Sequence, residues 1–301
     1  MQDTAGIVLA GGRSSRMGSS KAALAWHGST LLRRVTGIVG RVVSGPVVVV
    51  RAVGQQLPSL AAGVEVVDDE LEGRGPLQGL AAGLAALEGR AEAAYVSSTD
   101  VPLVHPAFVH AVVAALDDEV DVALPVVHGY PQPLSAAYRV ALRPLVEELL
   151  AEDRLRPAFL FERCRVRRLD DAALLADRRL AAADPELASV LNLNEPADVE
   201  AARARPAPVV TVERFGALRR LPGPARASVN AATLGAAAAT AGLELGEHVI
   251  VALNGDRIAR DPELPLAAGD TVALLAADGS PSVRSARGRA RARRARTPGT
   301  R

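Results

Sequence analysis

The chain has 301 residues, of which 49% are hydrophobic and only 3% aromatic, so its cores depend on Ala, Val and Leu, as is common in α/β proteins. The single cysteine, Cys164, excludes an internal disulfide and indicates a reducing compartment, and we interpret it as a small core residue. No stretch approaches the roughly 20 apolar residues of a membrane helix and no signal peptide is evident, so we expect a cytoplasmic protein that does not contact membranes.

Charge is unevenly distributed along the chain. The formal net charge is +1, but residues 284–301 carry eight Arg and no acidic residue. Subtracting these eight charges leaves −7 for residues 1–283, so the folded body is acidic. A body that binds nucleic acid specifically would itself be basic, and we therefore expect no such partner. Residues 281–301 have nothing to bury, and we predict a solvated, disordered basic tail.

Apolar strands and helices alternate in the first part of the chain. We predict buried strands at 5–10, 46–52, 64–67, 93–100 and 121–126, and helices at 29–43, 76–89, 105–116 and 195–204. This alternation predicts a doubly wound, mostly parallel α/β sheet of the Rossmann-like type, in a domain of residues 1–203. Ligands of such sheets bind beyond the carboxyl ends of the strands. Gly11 and Asp69 lie just past predicted strand ends, and Asp100 lies at one.

The pattern changes after a proline-containing linker at residues 203–208. We predict a strand within 208–221, a helix at 233–243, two strands around an Asn-Gly turn within 248–259 and a final strand within 266–277. We interpret these elements as a small β-β-α-β-β domain of the α+β class over residues 208–280.

The loop "LAGGRSSRMGSSK" at residues 9–21 is rich in glycine and positive charge. It matches neither the Walker loop nor the dinucleotide fingerprint, since its glycines have the wrong spacing. The loop nevertheless has the features that bind phosphate, namely adjacent glycines and positively charged side chains. Gly11 and Gly12 allow close approach of the backbone to an anion, Lys21 can neutralise its charge, and Arg16 can pair with phosphate in a bidentate manner.

This loop resembles the signature L-A-G-G-x-S-x-R-M-G-x-x-K of nucleotidylyltransferases. Four further segments resemble the same family, and the closest resemblance is to the molybdenum cofactor guanylyltransferases, over residues 5–203. These segments are "DDELEGRGPLQGL" (68–80), "SSTDVP" (97–102), "YPQPLSAAY" (130–138) and "LNLNEPADV" (191–199). The resemblance implies an enzyme that joins GMP from GTP to the phosphate of molybdopterin and releases pyrophosphate.

The resemblance also implies roles for individual residues. Mg²⁺ is the implied cofactor, with Asp100 as its ligand at the end of a buried strand. The catalytic residues are then Arg16, Lys21 and Asp100. The nucleotide-binding residues are Leu9, Ala10, Gly11, Gly12, Lys21, Asp69, Gly75 and Asp100. The acceptor-binding residues are Asn192, Asn194 and Arg156.

Several alternatives remain open at this point. Asn192 is equally typical of helix capping, whereas a functional role is favoured over capping for Asn194. Asp68 is placed as well as Asp69, and Arg156 is equally interpreted as a surface residue. The Gly11–Gly12 pair favours GTP, whereas relatives that use CTP tend to carry Ala-Gly. Two other functions compete: a CTP-dependent or other nucleotidyltransferase, and a non-catalytic nucleotide-binding adaptor of molybdenum cofactor synthesis.

The segment 251–280 resembles the β-grasp sulfur carriers of the molybdopterin-synthase small-subunit and thiamine types. The Asn-Gly hairpin, the Gly-Asp turn and the final apolar strand carry this resemblance. Those carriers end in Gly-Gly, whereas here Gly279 is followed by Ser280 and then by residues 281–301. Carrier chemistry at a free carboxyl terminus would require removal of this tail. The more economical hypothesis is a domain that docks proteins of the same pathway, or a remnant of a carrier.

Overall fold

The computed structural model describes residues 3–11, 21–71, 73–255 and 257–277. The chain divides into two compact units, Met1–Arg205 and Pro206–Arg301. Gly12, Arg16 and the predicted basic tail lie outside the described residues. Among the described helices, none combines the length and the apolar composition that crossing a bilayer requires.

The first unit alternates strands and helices. Its strands are β1 Thr4–Leu9, β2 Ala25–Trp26, β3 Ser29–Thr30, β4 Val47–Ala52, β5 Val64–Asp69, β6 Ala93–Ser98, β7 Val122–Val127, β8 Tyr130–Pro131, β9 Ser135–Arg139 and β10 Val166–Asp170. Its helices are α1 Leu31–Val39, α2 Pro76–Leu87, α3 Pro106–Ala114, α4 Arg143–Ala151, α5 Pro157–Phe161, α6 Asp171–Leu175, α7 Arg178–Ala183 and α8 Pro196–Ala204.

One mostly parallel sheet forms the centre of this unit. Within the described residues its strand order is β10-β7-β9-β6-β1-β4-β5, and β8 pairs with β7. The pairs β10–β7, β6–β1, β1–β4 and β4–β5 are parallel, whereas β9 runs antiparallel to both of its neighbours. The prediction of a mostly parallel α/β sheet is therefore confirmed.

Helices cover both faces of the sheet, as two close contacts on β1 illustrate. A Cβ atom added to Gly6 would lie 2.6 Å from Val39 of α1, and one added to Gly83 of α2 would lie 2.7 Å from Ile7. Successive strand residues point to opposite faces, so α1 and α2 pack on opposite sides of β1. Both approaches require glycine, because a methyl group does not fit.

The structure shows which residue begins each helix and why. Proline is the first residue of α2, α3, α5 and α8, where its missing N–H group costs no hydrogen bond. The predicted helix 29–43 begins instead at Leu31. Thr30 caps it, because its hydroxyl accepts from the Arg33 N–H group at 3.3 Å.

The second unit is a mixed sheet with one described helix and a core of its own. Its strands are β11 Val209–Arg214, β12 Arg226–Asn230, β13 Val249–Leu253, β14 Arg257–Ala259 and β15 Thr271–Ala276, and its helix is α9 Leu234–Thr240. The sheet order is β12-β11-β15-β13-β14. The central neighbours β11 and β15 are parallel, and the other pairs are antiparallel. Val210, Val251 and Leu274 are buried beneath the helix side of this sheet.

The element ranges predicted for this unit contain one strand fewer than the described elements. The missing strand is β12, an edge strand whose alternate residues Arg226, Ser228 and Asn230 are exposed and polar. The predicted strand 208–221 ends at Arg214, because this buried side chain donates to the carbonyls of Pro222 (2.9 Å) and Pro224 (2.7 Å) and folds the chain back. The turn was predicted correctly: Asn254 and Gly255 have positive φ of 56° and 92°.

Gly83→Ala tests the close packing of α2 on β1. Alanine favours a helix over glycine by about 1 kcal/mol, but the new methyl group overlaps Ile7. Because overpacking typically costs about 1–3 kcal/mol, we expect a net loss of stability. Urea unfolding followed by fluorescence of Trp26 measures it, since this buried tryptophan is the only one in the chain.

The matched control for this substitution is Gly83→Ala in an Ile7→Ala background. The atoms of Ile7 that a Cβ at position 83 would meet are Cγ1, Cγ2 and Cδ1, and alanine lacks all three. The penalty should then disappear or reverse. An equal penalty in both backgrounds would show that contact with Ile7 does not require the glycine.

Candidate active site

A cleft of about 710 Å³ lies at the carboxyl ends of the parallel strands of the first unit. The ends of β1, β4, β5 and β6, the start of α2, and the loops that precede β9 and α8 form its walls. Its lining includes nine of the predicted site residues: Leu9, Ala10, Gly11, Lys21, Asp69, Gly75, Asp100, Asn192 and Asn194. The sheet topology thus brings together residues that are up to 185 positions apart in the sequence.

The end of β1 forms the floor of the cleft. Ala10 N–H donates to Val50 O at 2.8 Å and the Thr99 hydroxyl donates to Leu9 O at 2.9 Å. A Cβ atom on Gly11 would lie 3.4 Å from the backbone nitrogen of Ala52, at the short end of ordinary van der Waals contact. The backbone of Gly11 thus passes close to β4 and is exposed on the cleft.

An ion pair lies at the end of β6. The Lys21 ammonium lies 3.0 Å from Asp100 Oδ2 and donates to Asn194 Oδ1 at 3.4 Å. The Ser98 hydroxyl donates to the other oxygen, Asp100 Oδ1, at 2.6 Å. The side chains of Lys21 and Asp100 are 22% and 19% exposed, so the pair is partly shielded but accessible from the cleft.

The loop before α8 is bound directly to this pair. Leu193 N–H donates to the backbone carbonyl of Asp100 at 2.9 Å, and Leu193 packs with Trp26 in a small apolar cluster. The Asp198 carboxylate accepts from the N–H groups of Asn194 (2.9 Å) and Glu195 (2.8 Å). Glu195, and not an asparagine, is thus the N-cap residue, and the capping interpretation of Asn194 is wrong because its side chain contacts Lys21.

The structure distinguishes the two neighbouring carboxylates of β5. Asp68 pairs with Arg51 of β4 at 2.7 Å, whereas Asp69 lines the cleft. Asp69 was predicted to lie just past a strand of residues 64–67, but β5 extends to Asp69 itself. The Oδ1 atom of Asp69 accepts from Leu71 N–H at 3.1 Å. Because adjacent strand residues face opposite sides, only Asp69 can meet a ligand in the cleft.

The amino end of α2 contributes positive potential to the cleft. Gly75 is its N-cap residue, with φ of 84°, and no side chain caps this end. Gly75, Pro76 and Gly79 line the cleft, so the first N–H groups of a 12-residue helix lie at its wall. The positive φ requires glycine, and such a helix end favours anions.

Arg156 is the predicted site residue that the structure does not bring into the cleft lining. It is the exposed N-cap residue of α5. Gln132, Ser98 and Thr99 line the cleft and were not predicted individually, although they lie in quoted segments. One available signal was missed: of the 35 basic residues, Lys21 is the only lysine. Lysine differs from arginine in carrying a compact ammonium group, and the one lysine of the chain places that group beside Asp100.

The donor atoms near Asp100 are hard oxygens. Within the described part of the chain, three or more His, Cys, Asp or Glu side chains do not gather at any point. A site with one carboxylate and the amide oxygens of Asn192 and Asn194 suits Mg²⁺, which is usually held by one or two carboxylates together with substrate phosphates. It does not suit zinc, which prefers nitrogen and sulfur ligands.

Comparison with known proteins identifies the family. The sequence model described as the MobA-like NTP transferase domain matches residues 6–168. The chain belongs to this family. It is 39% identical over 184 residues to a probable molybdenum cofactor guanylyltransferase of Mycobacterium ulcerans, covering 59% of this chain and 90% of that protein. A molybdenum cofactor guanylyltransferase of Desulfosudis oleivorans is 30% identical over 205 residues, covering 68% and 96%.

A solved structure has the same fold. The molybdopterin-guanine dinucleotide biosynthesis protein A of Archaeoglobus fulgidus is 22% identical, with a TM-score of 0.51 over 66% of this chain and 96% of that one. This likeness shows the fold. The family membership and the 30–39% identical relatives show that the chain is a nucleotidyltransferase. Its cleft lies where ligands of such sheets bind.

Lys21→Met tests the ion pair as the phosphate site. A hydrogen bond from a charged group contributes about 1.5–3 kcal/mol, so removal of the ammonium should weaken nucleoside triphosphate binding by roughly 10- to 100-fold. Calorimetric titration with GTP and CTP measures the dissociation constants. Lys21→Arg keeps the charge and should bind more tightly than Lys21→Met. Unchanged binding by Lys21→Met would exclude this lysine from the nucleotide site.

Proposed function

We propose that the first unit transfers GMP from GTP to the phosphate of molybdopterin and releases pyrophosphate. One observation carries the proposal: the Lys21–Asp100 pair opens onto the same cleft as the Gly11 loop and the amino end of α2. The family membership and the names of its 30–39% identical relatives support the choice of reaction.

The reaction brings two anions together. An oxygen of the acceptor phosphate forms a bond to the α-phosphorus of GTP, and the bond from that phosphorus to the pyrophosphate oxygen breaks. The protein must therefore supply positive charge and alignment. We assign these tasks to the Lys21 ammonium, the backbone of Gly11 and the first turn of α2. The acceptor phosphate is already ionised near neutral pH, so no general base is needed.

Asp100 is the residue that we assign to Mg²⁺. Its carboxylate is oriented by Ser98 on one oxygen and by Lys21 on the other. When bound, Mg²⁺ would polarise the α-phosphate and neutralise developing charge. Asn194 contacts the same lysine and can offer its amide oxygen to the metal or to the acceptor. Lys21 then balances the carboxylate whenever the metal is absent.

The remaining contacts concern the base and the acceptor. Asp69 and Gly75 lie on the cleft wall next to β5 and α2, where we place the nucleoside. Asn192 and Gln132 lie on other parts of the wall and are our candidates for the acceptor. An acceptor role of Arg156 remains a prediction. The roles of Gly12 and Arg16 also remain predictions, because these residues lie outside the described chain.

Two other functions compete with this proposal. A CTP-dependent enzyme would use the same cation and carboxylate, so only nucleotide selectivity separates it from the first proposal. A non-catalytic adaptor would need the nucleotide cleft but not the oriented carboxylate. The contacts of Asp100 with Ser98 and Lys21 favour an enzyme over the adaptor, since simple binding does not require a metal ligand of fixed orientation.

Asp100→Asn tests the catalytic assignment. The amide keeps the shape of the side chain but lacks the negative charge that holds Mg²⁺, so we expect pyrophosphate release to fall by about 100-fold or more. The assay contains Mg²⁺, molybdopterin and one nucleoside triphosphate at a time. Wild-type release with GTP but not with CTP supports the proposed base.

The control for this prediction is Glu186→Gln, which removes an exposed carboxylate outside the cleft and should leave release unchanged. If Asp100→Asn retained the wild-type rate, the metal assignment would be excluded. GTP binding by the wild type without any release would instead favour the adaptor.

For the second unit we propose a β-grasp domain that docks proteins of the same pathway. The strand order β12-β11-β15-β13-β14, with parallel central neighbours and a helix between β12 and β13, supports the fold. The continuation of the chain past Gly279 argues against a terminal sulfur carrier. If the second unit docks proteins, it takes no part in the reaction in the cleft. This agrees with the lining residues of the cleft, which all lie in the first unit.

A chain that ends at Arg205 tests this separation. Because each unit has its own buried core, the shortened chain should release pyrophosphate with GTP at a rate within about twofold of the full chain. The same assay with purified molybdopterin measures both proteins. A loss of tenfold or more, with the melting temperature unchanged, would contradict a docking role and assign the second unit to catalysis.

A further inference from the structure

The hydrogen-bond ladder between β1 and β4 is interrupted where the cleft begins. Leu9 is paired with Val50, and Ala10 N–H makes the last regular parallel bond, to Val50 O at 2.8 Å. In a continued parallel ladder the next bond would join Ala52 N–H to the Ala10 carbonyl. The structure places a side chain between these two groups instead.

That side chain is Gln55. Its Nε2 donates to Ala10 O at 2.9 Å, and its Oε1 accepts from Ala52 N–H at 3.1 Å. The amide thus occupies the position of one inserted peptide group, because it supplies both a donor and an acceptor. The amide therefore replaces the direct bond between the Ala10 carbonyl and the Ala52 N–H group, next to Gly11, which lines the cleft together with Ala52.

Gln55 is itself held in place by its own backbone. Its N–H donates to Ala52 O at 3.0 Å, and its carbonyl accepts from Arg51 Nη1 at 3.0 Å. Arg51 in turn pairs with Asp68 of β5 at 2.7 Å. A tight turn at the end of β4 therefore fixes the position of the Gln55 amide. Because this position does not depend on the loop, the amide can orient the loop.

We propose that Gln55 is the positioning residue of the nucleotide loop: its amide joins the end of β1 to the end of β4 and so holds Ala10 and Gly11 in the conformation that receives the nucleoside triphosphate. The inference rests on the proposed function and assigns a determinant of nucleotide affinity within it. Gln55 lies outside the lining of the cleft, so its effect passes through Ala10 and not through a contact with the ligand.

Gln55→Glu and Gln55→Met are the test variants. Glutamate has the same shape, but as a carboxylate it cannot donate to Ala10 O and places negative charge beside it. Methionine has a similar length and retains neither the amide donor nor its acceptor. The matched control is Gln56→Glu, which makes the same chemical change at the next residue, where the side chain is exposed.

Binding of Mg²⁺–GTP is measured by calorimetry, and KM for GTP and kcat are measured by pyrophosphate release, in the full-length chain. We expect both variants to raise Kd and KM for GTP by about tenfold, with a smaller change in kcat and with KM for molybdopterin unchanged. The control should match the wild type. Fluorescence of Trp26 monitors the melting temperature of the first unit, which a merely structural role would lower without this selective change in KM.

The outcomes distinguish failure of the positioning role of Gln55 from failure of the proposed function. Tight GTP binding by the wild type and by both variants would overturn the positioning role and leave the proposed function intact. A fall in kcat with KM for GTP unchanged would also overturn it. Failure of the wild type to bind GTP would overturn the proposed function together with this inference.

Discussion

The contact between the Lys21 ammonium and the Asp100 carboxylate is the interaction on which the site depends. It joins the last residue of the glycine-rich loop to the end of β6, and Asn194 extends it to the loop before α8. An exposed ion pair stabilises a fold only weakly, so its main consequence here is positional. It holds a positive and a negative group side by side, partly shielded, at the edge of a parallel sheet. A nucleotidyltransferase needs both charges there, one for phosphate and one for a metal.

The central strand β1 connects the packing of the first unit to this chemistry. Its middle is packed so closely by α1 and α2 that glycine is required at Gly6 and at Gly83. Its carboxyl end is released from regular pairing, since the side chains of Gln55 and Thr99 hydrogen-bond to the carbonyls of Ala10 and Leu9. A rigid strand thus ends in a backbone segment that side chains orient, which suits a loop that must approach a ligand closely.

Sequence patterns predicted the sheet and most of the site because both follow from local rules. Apolar runs specified the buried strands, and the carboxyl-end rule placed Gly11 and Asp100 at one edge. The choice between Asp68 and Asp69 needed the strand register, and the role of Asn194 needed its distance from Lys21. Strand β12 was missed because its inward apolar face consists of only two residues, Ala227 and Val229, between exposed polar ones. Gln55 could not be found from the sequence, since its amide acts between residues of two different strands.

The proposed function requires above all that Lys21 lies in the nucleotide site. Because the chain has one lysine, an acetylating reagent has only Lys21 and the terminal amine as its usual amine targets. Mass spectrometry after digestion measures the rate at each amine with and without Mg²⁺–GTP. The account predicts that GTP slows acetylation of Lys21 by about tenfold or more while the terminal amine reacts at an unchanged rate. Equal rates at Lys21 in both conditions, at GTP concentrations that saturate the protein, would contradict it.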